Sequence, residues 1–317
     1  MPGTTKALDE ASATISLLVR ERDELHARIR ELVQSSNRPP GDPIFVPPGH
    51  FYSPIPSLAE TKRDEALIWG PPPRDLPGIQ LAESNQLLLF EQFLPFYSEL
   101  PFKEQKTAGL RYYFENPAYS YCDAIVLYCM IRHLRPQTII EVGSGYSSCA
   151  TLDTNELFFA NSITCKFVEP HPALLLSSIK GEDIQRITVL PQRLQDVDLG
   201  EFERLKKNDI LFVDSTHVGK INSDVNRLLF EILPRLAPGV HIHFHDVFYP
   251  FEYPKPWIFE GRAWNEQYLL RAFLQYNSAF QVVFMNTFLT HFHREVFQRA
   301  MPLCLKNCGG SLWIKKT

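Results

Sequence analysis

The stretch TIIEVGSGYSSC, residues 138–149, indicates the fold of the chain. It begins as a short run of apolar, β-branched residues, which is typical of a buried strand. Gly143 and Gly145 then permit a tight turn and a close approach of the backbone to a ligand, and the residues after them should open a helix. A strand, a glycine turn and a helix in this order predict the first unit of an α/β sheet that binds a ligand at the carboxyl ends of its strands.

Further strand patterns follow this first unit along the chain. Segments rich in β-branched residues, separated by helical or polar stretches, occur at residues 163–170, 186–190, 209–214 and 240–246. The alternation of strands with helices predicts a parallel, doubly wound sheet. Two more candidate strands lie at residues 280–286 and 311–316.

An acidic residue, Glu169, stands at the end of the second predicted strand. An acid there can accept hydrogen bonds from both hydroxyls of an adenosine ribose, in an NAD site or in an S-adenosylmethionine site. The turn has the spacing G-x-G-x-x-S, with Ser148 where a dinucleotide-binding turn normally has glycine, and this weakens the NAD interpretation. An NAD-linked oxidoreductase remains an alternative, which an antiparallel hairpin of the last two strands would exclude.

The sequence EVGSGYSS, residues 141–148, resembles the first motif of the class I S-adenosylmethionine-dependent methyltransferases, and the resemblance covers about residues 115–317. It implies an α/β fold with a doubly wound, seven-stranded, mostly parallel sheet, whose last strand is antiparallel and forms a hairpin with the sixth. It also implies that S-adenosyl-L-methionine is the cofactor, with Gln192 or Asp196 placed where the family contacts adenine. The implied cofactor contacts are Glu141, Gly143, Ser144, Gly145, Ser147, Glu169, Gln192 and Asp214.

Two later motifs narrow the resemblance. FVDSTH (212–217) and HFHDVF (243–248) are similar to small-molecule O-methyltransferases of the catechol and macrolide-sugar type, which place metal-binding acids after strands four and five. The similarity implies Asp214 and Asp246 as ligands of Mg²⁺ or another divalent metal. Those types have an Asn or a second acid directly after the strand-five Asp, whereas this chain has Val247. Either a ligand is missing, or His217 or His245 replaces it and favours a transition metal.

Methyl transfer to a hydroxyl requires alignment of the acceptor, exclusion of water and removal of a proton. In the strand segment HIHFHD (241–246), alternate histidines share one face with Cα atoms about 6.6 Å apart, so one metal cannot bind all three. His241 and His243 are therefore expected to pack or to hydrogen-bond within the sheet. His245, Asp246 and His217 lie at the ligand edge and are the predicted catalytic residues, with either histidine as general base if no metal takes part.

An aromatic segment at residues 247–274 is too long and too rich in proline and tryptophan for an ordinary strand-to-helix connection. We expect it to cover the acceptor pocket. Its candidate substrate contacts are Glu252, Trp257, Trp264, Asn265 and Glu266. From the other side, the segment 116–124 offers Tyr119 as a further candidate contact and Asp123 as a residue that covers the cofactor.

The first 83 residues have a different character. Apolar residues at heptad spacing predict a helix over residues 8–34, which either pairs as a coiled-coil dimer or folds back on its own domain. Eleven of the chain's 25 prolines lie between residues 39 and 77. We therefore divide the chain into an N-terminal helix, a Pro-rich arm, a helical cap and the cofactor-binding domain, at residues 1–37, 38–83, 84–137 and 138–317.

Composition excludes several classes of protein. The 317 residues carry a net charge of −4 without a long basic run, so nucleic acid is not an expected partner. No stretch reaches the roughly 20 apolar residues of a membrane span, and the first thirty residues do not resemble a secretory leader, so we expect a cytoplasmic protein. The six cysteines, scattered through apolar segments, are expected to be free thiols in a reducing compartment, and Cys304 and Cys308 lack the second pair that a zinc site needs.

The function predicted from these features is S-adenosylmethionine-dependent O-methylation of a small molecule, a sugar or a secondary metabolite. A third possibility, after the oxidoreductase, is a non-catalytic partner protein that retains the cofactor fold and uses its N-terminal helix to join an assembly.

Overall fold

The structure is a computed structural model that describes residues 18–22, 24–25 and 45–317. The chain forms two compact units, residues 1–68 and residues 69–317, here called the N-terminal unit and the α/β unit. The heptad helix predicted over residues 8–34, and the dimer it implies, lie largely outside the described residues, of which 18–22 and 24–25 are helical.

The described part of the N-terminal unit contains two short helices, α1 (Leu58–Arg63) and α2 (Glu65–Ile68). Ser57 caps α1, because its side chain accepts a hydrogen bond from the backbone N–H of Glu60. The Pro-rich sequence before Ser57 has no regular secondary structure from residue 45 onward, as expected where proline removes backbone donors.

A seven-stranded sheet forms the centre of the α/β unit, in the order β3-β2-β1-β4-β5-β7-β6. All neighbouring strands are parallel except β7, which runs antiparallel to both β5 and β6. Its strands are β1 (Thr138–Val142), β2 (Thr164–Val168), β3 (Thr188–Leu190), β4 (Ile210–Val213), β5 (His241–His245), β6 (Phe280–Met285) and β7 (Ser311–Lys316). Each strand lies within the segment predicted for it, so the predicted fold class is confirmed.

Helices connect and cover the strands. They are α3 (Glu83–Ser98), α4 (Tyr121–Leu134), α5 (Tyr146–Phe159), α6 (Ala173–Ser178), α7 (Leu199–Glu203), α8 (Asp224–Arg227), α9 (Leu233–Arg235), α10 (Lys255–Phe259), α11 (Glu266–Leu274), α12 (Asn286–Phe292) and α13 (Arg294–Ala300). A π-helical turn, Leu228–Ile232, joins α8 to α9. Short 3₁₀ turns occur at Gly181–Gln185, Leu194–Asp196 and Pro302–Leu305.

The central strands are buried along their whole length. Every residue of β4 and of β5 is buried, as expected for parallel strands with helices on both faces. The helix α4 packs against α3 and α5, and almost all of its residues are buried, which explains why its sequence lacks a polar face.

The parallel register brings the predicted site residues to one edge of the sheet. Val142 at the end of β1 pairs with Val168 of β2 and with Val213 of β4, and Val213 pairs with Phe244 of β5. The residues that follow these four strands therefore leave the sheet side by side, at the carboxyl edge where ligands bind in open α/β sheets.

The pairing of β7 with β6 is the antiparallel hairpin that excludes the NAD-linked alternative. Among the described residues, no helix combines the length and the apolar character needed to cross a membrane.

Candidate active site

The glycine turn presses against the end of the neighbouring strand. Gly143 has φ +79°, in the left-handed region, and a Cβ atom there would lie 2.2 Å from the backbone oxygen of Asp214. The Asp214 N–H donates to the carbonyl of Val142 at 2.8 Å, which holds the two strand ends together. Only glycine fits this place, because any side chain would collide with the backbone of β4.

The serines after the turn form hydrogen bonds within the turn and with the end of β1. Ser148 accepts a hydrogen bond from the backbone N–H of Gly145 at 3.0 Å and donates to Oε1 of Glu141 at 2.9 Å. Ser147 donates to the same oxygen at 2.6 Å. The serine that departs from the dinucleotide pattern therefore caps α5 and binds the strand-one acid.

Glu141 is completely buried and its second oxygen, Oε2, has no hydrogen-bond partner. Burial, opposed in part by the hydroxyl donors, raises the pKa of this carboxyl to about 8. The hydroxyl of Ser144, in the turn, is also buried without a partner. Two unpaired polar atoms at one turn are unusual in a native interior and mark a place for a polar ligand.

The strand-two acid lies beside the turn. Oε2 of Glu169 accepts from the backbone N–H of Ser144 at 3.3 Å, and Oε1 accepts from that of His171 at 2.8 Å. Gln192 follows β3 and is half-buried, whereas Asp196 is exposed and bound by Arg193 in a two-point ion pair. Of the two residues implied as adenine contacts, Gln192 is therefore the one whose side chain is not held in an ion pair.

Asp214, His217 and Asp246, here called the trio, converge on one point. One ligand atom from each lies within 4.8 Å of the other two. Nε2 of His217 is 3.2 Å from Oδ1 of Asp214 and 3.6 Å from Oδ2 of Asp246. The trio therefore combines the two predicted acids with one predicted histidine, and Val247 is buried in the core.

Glu266 fixes the imidazole of His217. Its Oε2 lies 2.8 Å from Nδ1 of His217, and its Oε1 accepts a hydrogen bond from the hydroxyl of Ser215 at 2.8 Å. Glu266 is buried behind His217, whereas the sequence predicts it as a substrate contact. A carboxylate on Nδ1 leaves Nε2 facing the acids, as in metal sites that use a carboxylate–histidine pair.

The charges of the trio depend on one another. Burial would lower the pKa of His217, but hydrogen bonds to Asp214 and Glu266 raise it to about 10. Burial would raise the pKa of Asp214, but the nearby His245 and His217 hold it below its ordinary range. For Asp246 burial prevails over both histidines and raises the pKa. This cluster of acids therefore favours positive charge at its centre.

Two members of the trio adopt strained backbone conformations. His217 has φ +59° and Asp246 has φ +57°, in the left-handed region that residues other than glycine seldom occupy. The carbonyl of His217 accepts the N–H groups of Asn265 and Glu266 at 3.0 and 3.1 Å, which stabilises its turn. Strain of this kind is concentrated at functional sites.

His245 lies next to Asp214 and Asp246 but is not a member of the trio. Its Nδ1 is 3.5 Å from Oδ1 of Asp214, and its Nε2 is 3.6 Å from Asp123 and 3.7 Å from Asp246. Burial would lower the pKa of His245, but the charges of these carboxylates raise it well above its usual value. The ring of Tyr119 packs 5.1 Å from that of His245 and is buried, so Tyr119 supports His245 from behind.

The other strand-five histidines are interior residues, as expected. His243 is fully buried, stacks on Phe212 with ring centroids 4.1 Å apart, and lies 2.9 Å from the hydroxyl of Ser311 through Nε2. Burial lowers the pKa of both His243 and His241, that of His241 to about 4. Among the described residues, neither belongs to the group whose ligand atoms converge in the trio.

The segment 247–265 places aromatic rings beside the trio. The ring of Trp264 lies 4.3 Å from that of His217, and Trp257 meets Trp264 edge-on at 5.4 Å. Asn265 is engaged with the backbone of Gly219, its Oδ1 accepting at 2.6 Å, and Glu252 accepts a hydrogen bond from the Tyr268 hydroxyl. The two tryptophans are thus the better placed of the predicted substrate contacts.

Sequence reasoning missed two parts of this site. Ser215 was not singled out although its hydroxyl binds Glu266 and accepts from the N–H of His217 at 2.9 Å. The contact between Asp123 and His245 was also missed. The only available signal for Ser215 was its position between Asp214 and His217 in the motif DSTH.

Comparison with known proteins agrees with this architecture. Residues 140–247 match a family model described as a methyltransferase domain. An uncharacterized protein of Archaeoglobus fulgidus is 35% identical over 170 residues, which are 52% of this chain and 76% of that protein. The chain belongs to the class I S-adenosylmethionine-dependent methyltransferase family. The matched segment holds the end of β1, all of β2, β3, β4 and β5, and the three residues of the trio.

Solved methyltransferases are similar to this family member at lower identity. The S-adenosylhomocysteine-bound methyltransferase PaMTH1 of Podospora anserina is 15% identical with a TM-score of 0.41, over 82% of this chain and 96% of the other. The O-methyltransferase TomG of Streptomyces achromogenes, solved in complex with S-adenosylmethionine, is 13% identical with a TM-score of 0.39, over the same shares.

Proposed function

We propose that this methyltransferase methylates an oxygen of a small molecule and that Asp214, His217 and Asp246 hold a divalent cation for the reaction. The observation that carries the proposal is the convergence of three ligand atoms within 4.8 Å, with Glu266 fixing the histidine from behind. The trio stands at the same sheet edge as the glycine turn. A methyl acceptor bound to the trio would therefore lie next to the cofactor.

The residues of the turn fit S-adenosylmethionine. Glu141 and Ser144 offer buried, unpaired oxygens to the methionine part, and Glu169 and Gln192 are proposed to contact the ribose and the adenine. The cofactor supplies the methyl group on a sulfonium, and the residues of this chain align the acceptor and exclude water from it. Trp257 and Trp264 can supply apolar walls for that purpose.

The donor set of the trio fits a metal. Two carboxylates and one imidazole suit ions such as Mn²⁺, Fe²⁺, Co²⁺ or Zn²⁺ better than Mg²⁺, which prefers oxygen donors. A cation there would lower the pKa of an acceptor hydroxyl. The acids of the trio also favour positive charge, which a cation would supply in place of protonated histidine.

A histidine base without metal is the second candidate mechanism. The 2.8 Å contact of Glu266 with Nδ1 of His217 would orient such a base, but a pKa of about 10 keeps His217 protonated near neutral pH, so this mechanism ranks below the cation. His245 is less suited to be that base, since none of its contacts with carboxylates is as short as the 2.8 Å contact that fixes the ring of His217.

Transfer from radiolabelled S-adenosylmethionine to a panel of hydroxylated aromatic compounds and sugars tests the proposal, with and without a chelator. Methylated product that disappears with chelator and returns with Mn²⁺ or Co²⁺ is the expected result. Product formation that a chelator leaves unchanged would replace the cation with the His217 base. Transfer only to nitrogen or carbon of related acceptors would contradict O-methylation.

A further inference from the structure

A buried carboxylate lies beneath the trio. Asp123, in the first turn of α4, accepts hydrogen bonds through Oδ1 from Asn286 Nδ2 at 2.9 Å, from the N–H of Gly310 at 3.1 Å and from the hydroxyl of Ser311. Its Oδ2 shares the Gly310 N–H at 3.2 Å and lies 3.6 Å from Nε2 of His245. The start of α4, the start of β7, the start of α12 and the end of β5 thus meet at one side chain.

The chain is shaped around this carboxylate. Gly309 has φ +66°, and a Cβ atom there would lie 2.2 Å from the carboxylate of Asp123. A Cβ atom on Gly310 would lie 2.5 Å from the ring of Phe248, on the other side. The glycine pair before β7 is therefore required for the backbone to reach Asp123. Burial of a carboxylate is costly unless its oxygens are satisfied, and here three donors satisfy Oδ1 while Oδ2 faces His245.

His245 connects Asp123 to the trio. The imidazole places Nε2 toward Asp123 and Nδ1 toward Oδ1 of Asp214, at 3.6 and 3.5 Å. Its Nδ1 is buried and makes no hydrogen bond. These separations are longer than hydrogen bonds, so a small movement of the ring decides which carboxylate it supports. A group that restrains the imidazole at Nε2, as Asp123 does, therefore also determines where Nδ1 lies relative to Asp214.

We infer that Asp123 is a positioning residue that holds His245 in the orientation in which it supports Asp214. The inference rests on the proposed function in taking Asp214 as a cation ligand. Asp123 acts through His245, as outer carboxylates act through the histidines of metal sites. The role differs from that of Glu266, which supports a member of the trio directly.

Titration of the full-length protein, saturated with S-adenosylhomocysteine, with Co²⁺ tests the inference. We expect Asp123→Asn to weaken Co²⁺ binding about 10-fold and His245→Asn to weaken it by a similar factor. Since Asp123 acts through His245, the double variant should bind Co²⁺ within about twofold of the weaker single variant. A merely structural role would instead multiply the two losses, and this result would overturn the inference, as would an unchanged affinity in Asp123→Asn.

Asp209→Asn is the matched control. Asp209 is also buried and accepts the N–H groups of Gln137, Thr138 and Lys206, but at the start of β1 and β4, the far end of the sheet. It should leave Co²⁺ affinity unchanged within about twofold. All variants should bind S-adenosylhomocysteine like the parent protein, which shows that the fold is intact.

Spectra of protein labelled with ¹⁵N-histidine test the same inference without metal. The ring signals of His245, assigned by their loss in His245→Asn, should move in Asp123→Asn and stay in place in Asp209→Asn. If the parent protein binds no Co²⁺, the proposed cation is wrong, while moved His245 signals would still support the positioning role. Unmoved His245 signals in Asp123→Asn would overturn it.

Discussion

The two halves of the sheet edge treat their acids differently. At the ends of β1 and β2, Glu141 and Glu169 receive hydrogen bonds from hydroxyls and backbone N–H groups. At the ends of β4 and β5, Asp214 and Asp246 face histidines. Burial raises the pKa of Glu141 to about 8, whereas the histidines lower that of Asp214 despite burial. One half is thus prepared for a polar organic ligand and the other for a cation or a proton.

Gly143→Ala should have the largest effect, because it disrupts the backbone contact between the ends of β1 and β4, where the two halves meet. The new Cβ would lie 2.2 Å from the backbone oxygen of Asp214, in a left-handed conformation. We expect loss of S-adenosylhomocysteine binding and a free energy of unfolding lower by about 3 kcal/mol, from calorimetry and urea unfolding. Gly181→Ala is the control, since a Cβ there has open space around it. Normal binding of S-adenosylhomocysteine by Gly143→Ala would show that this backbone contact is not needed for the cofactor site.

His217→Ala should separate the halves. It removes one ligand of the trio and leaves the glycine turn untouched, so Co²⁺ affinity should fall about 100-fold or more while that for S-adenosylhomocysteine stays constant. Calorimetric titration with both ligands measures this. His291→Ala, an exposed histidine, should change neither. Equal losses of both affinities would show that the halves are one site.

Glu266→Gln should cause a smaller loss of Co²⁺ affinity, in the same half of the sheet edge as His217. The glutamine keeps the shape but not the charge that fixes Nδ1 of His217, so we expect Co²⁺ to bind about 10-fold more weakly. Glu252→Gln alters a carboxylate of the same segment that binds the Tyr268 hydroxyl and should leave the affinity unchanged. Similar losses in both variants would argue for a general charge effect instead of a specific contact.

Glu141→Gln tests the cofactor half. The native carboxyl keeps its proton up to about pH 8, whereas the unfolded one releases it near its ordinary value of 4.5. The native state therefore binds more protons between these values, and the parent protein loses stability as pH rises through this window. The variant lacks this loss, so its stability relative to the parent should increase from pH 4.5 to pH 8 and then level off.

The same variant should bind S-adenosylmethionine about 10-fold more weakly, because it replaces the oxygen Oε2, which is unpaired in the protein and is proposed to contact the cofactor. Thermal unfolding across this pH range and titration with the cofactor at pH 7.5 provide the two measurements. A constant stability difference between the variant and the parent would contradict the raised pKa of Glu141.

The smallest effect is expected at the adenine end. Gln192→Ala should weaken S-adenosylhomocysteine binding by about threefold to tenfold, the value of one neutral hydrogen bond. Asp196→Ala should have almost no effect, because Asp196 is exposed and occupied by Arg193. The reverse order of the two variants would show that Asp196 leaves its ion pair when the cofactor binds.

The strands were predictable because their chemistry is local. Runs of β-branched residues at β1 and β4 and the glycine turn specify the sheet and its ligand edge over short segments. The placement of Asp214 and Asp246 at one edge then follows from parallel pairing. The heptad helix and the coiled-coil dimer stay predictions, since they fall mainly on residues outside those described.

The partners of the histidines were not predictable in the same way. Glu266 lies 49 residues from His217, and Asp123 lies far before His245 in the sequence. Pairings of this kind depend on how helices and loops close over the sheet, which periodicity does not encode. For the same reason the sequence predicts Glu266 and Tyr119 as substrate contacts, although both are buried behind histidines.

Anomalous diffraction from a crystal grown with S-adenosylhomocysteine and Co²⁺ tests most directly whether the cofactor and a cation occupy neighbouring halves of one sheet edge. We predict a cobalt peak bound by Asp214, His217 and Asp246, with S-adenosylhomocysteine along the glycine turn and Glu169. A crystal with S-adenosylhomocysteine in that place and no cobalt at the trio would contradict the cation site. The absence of the cofactor from the turn would contradict the account as a whole.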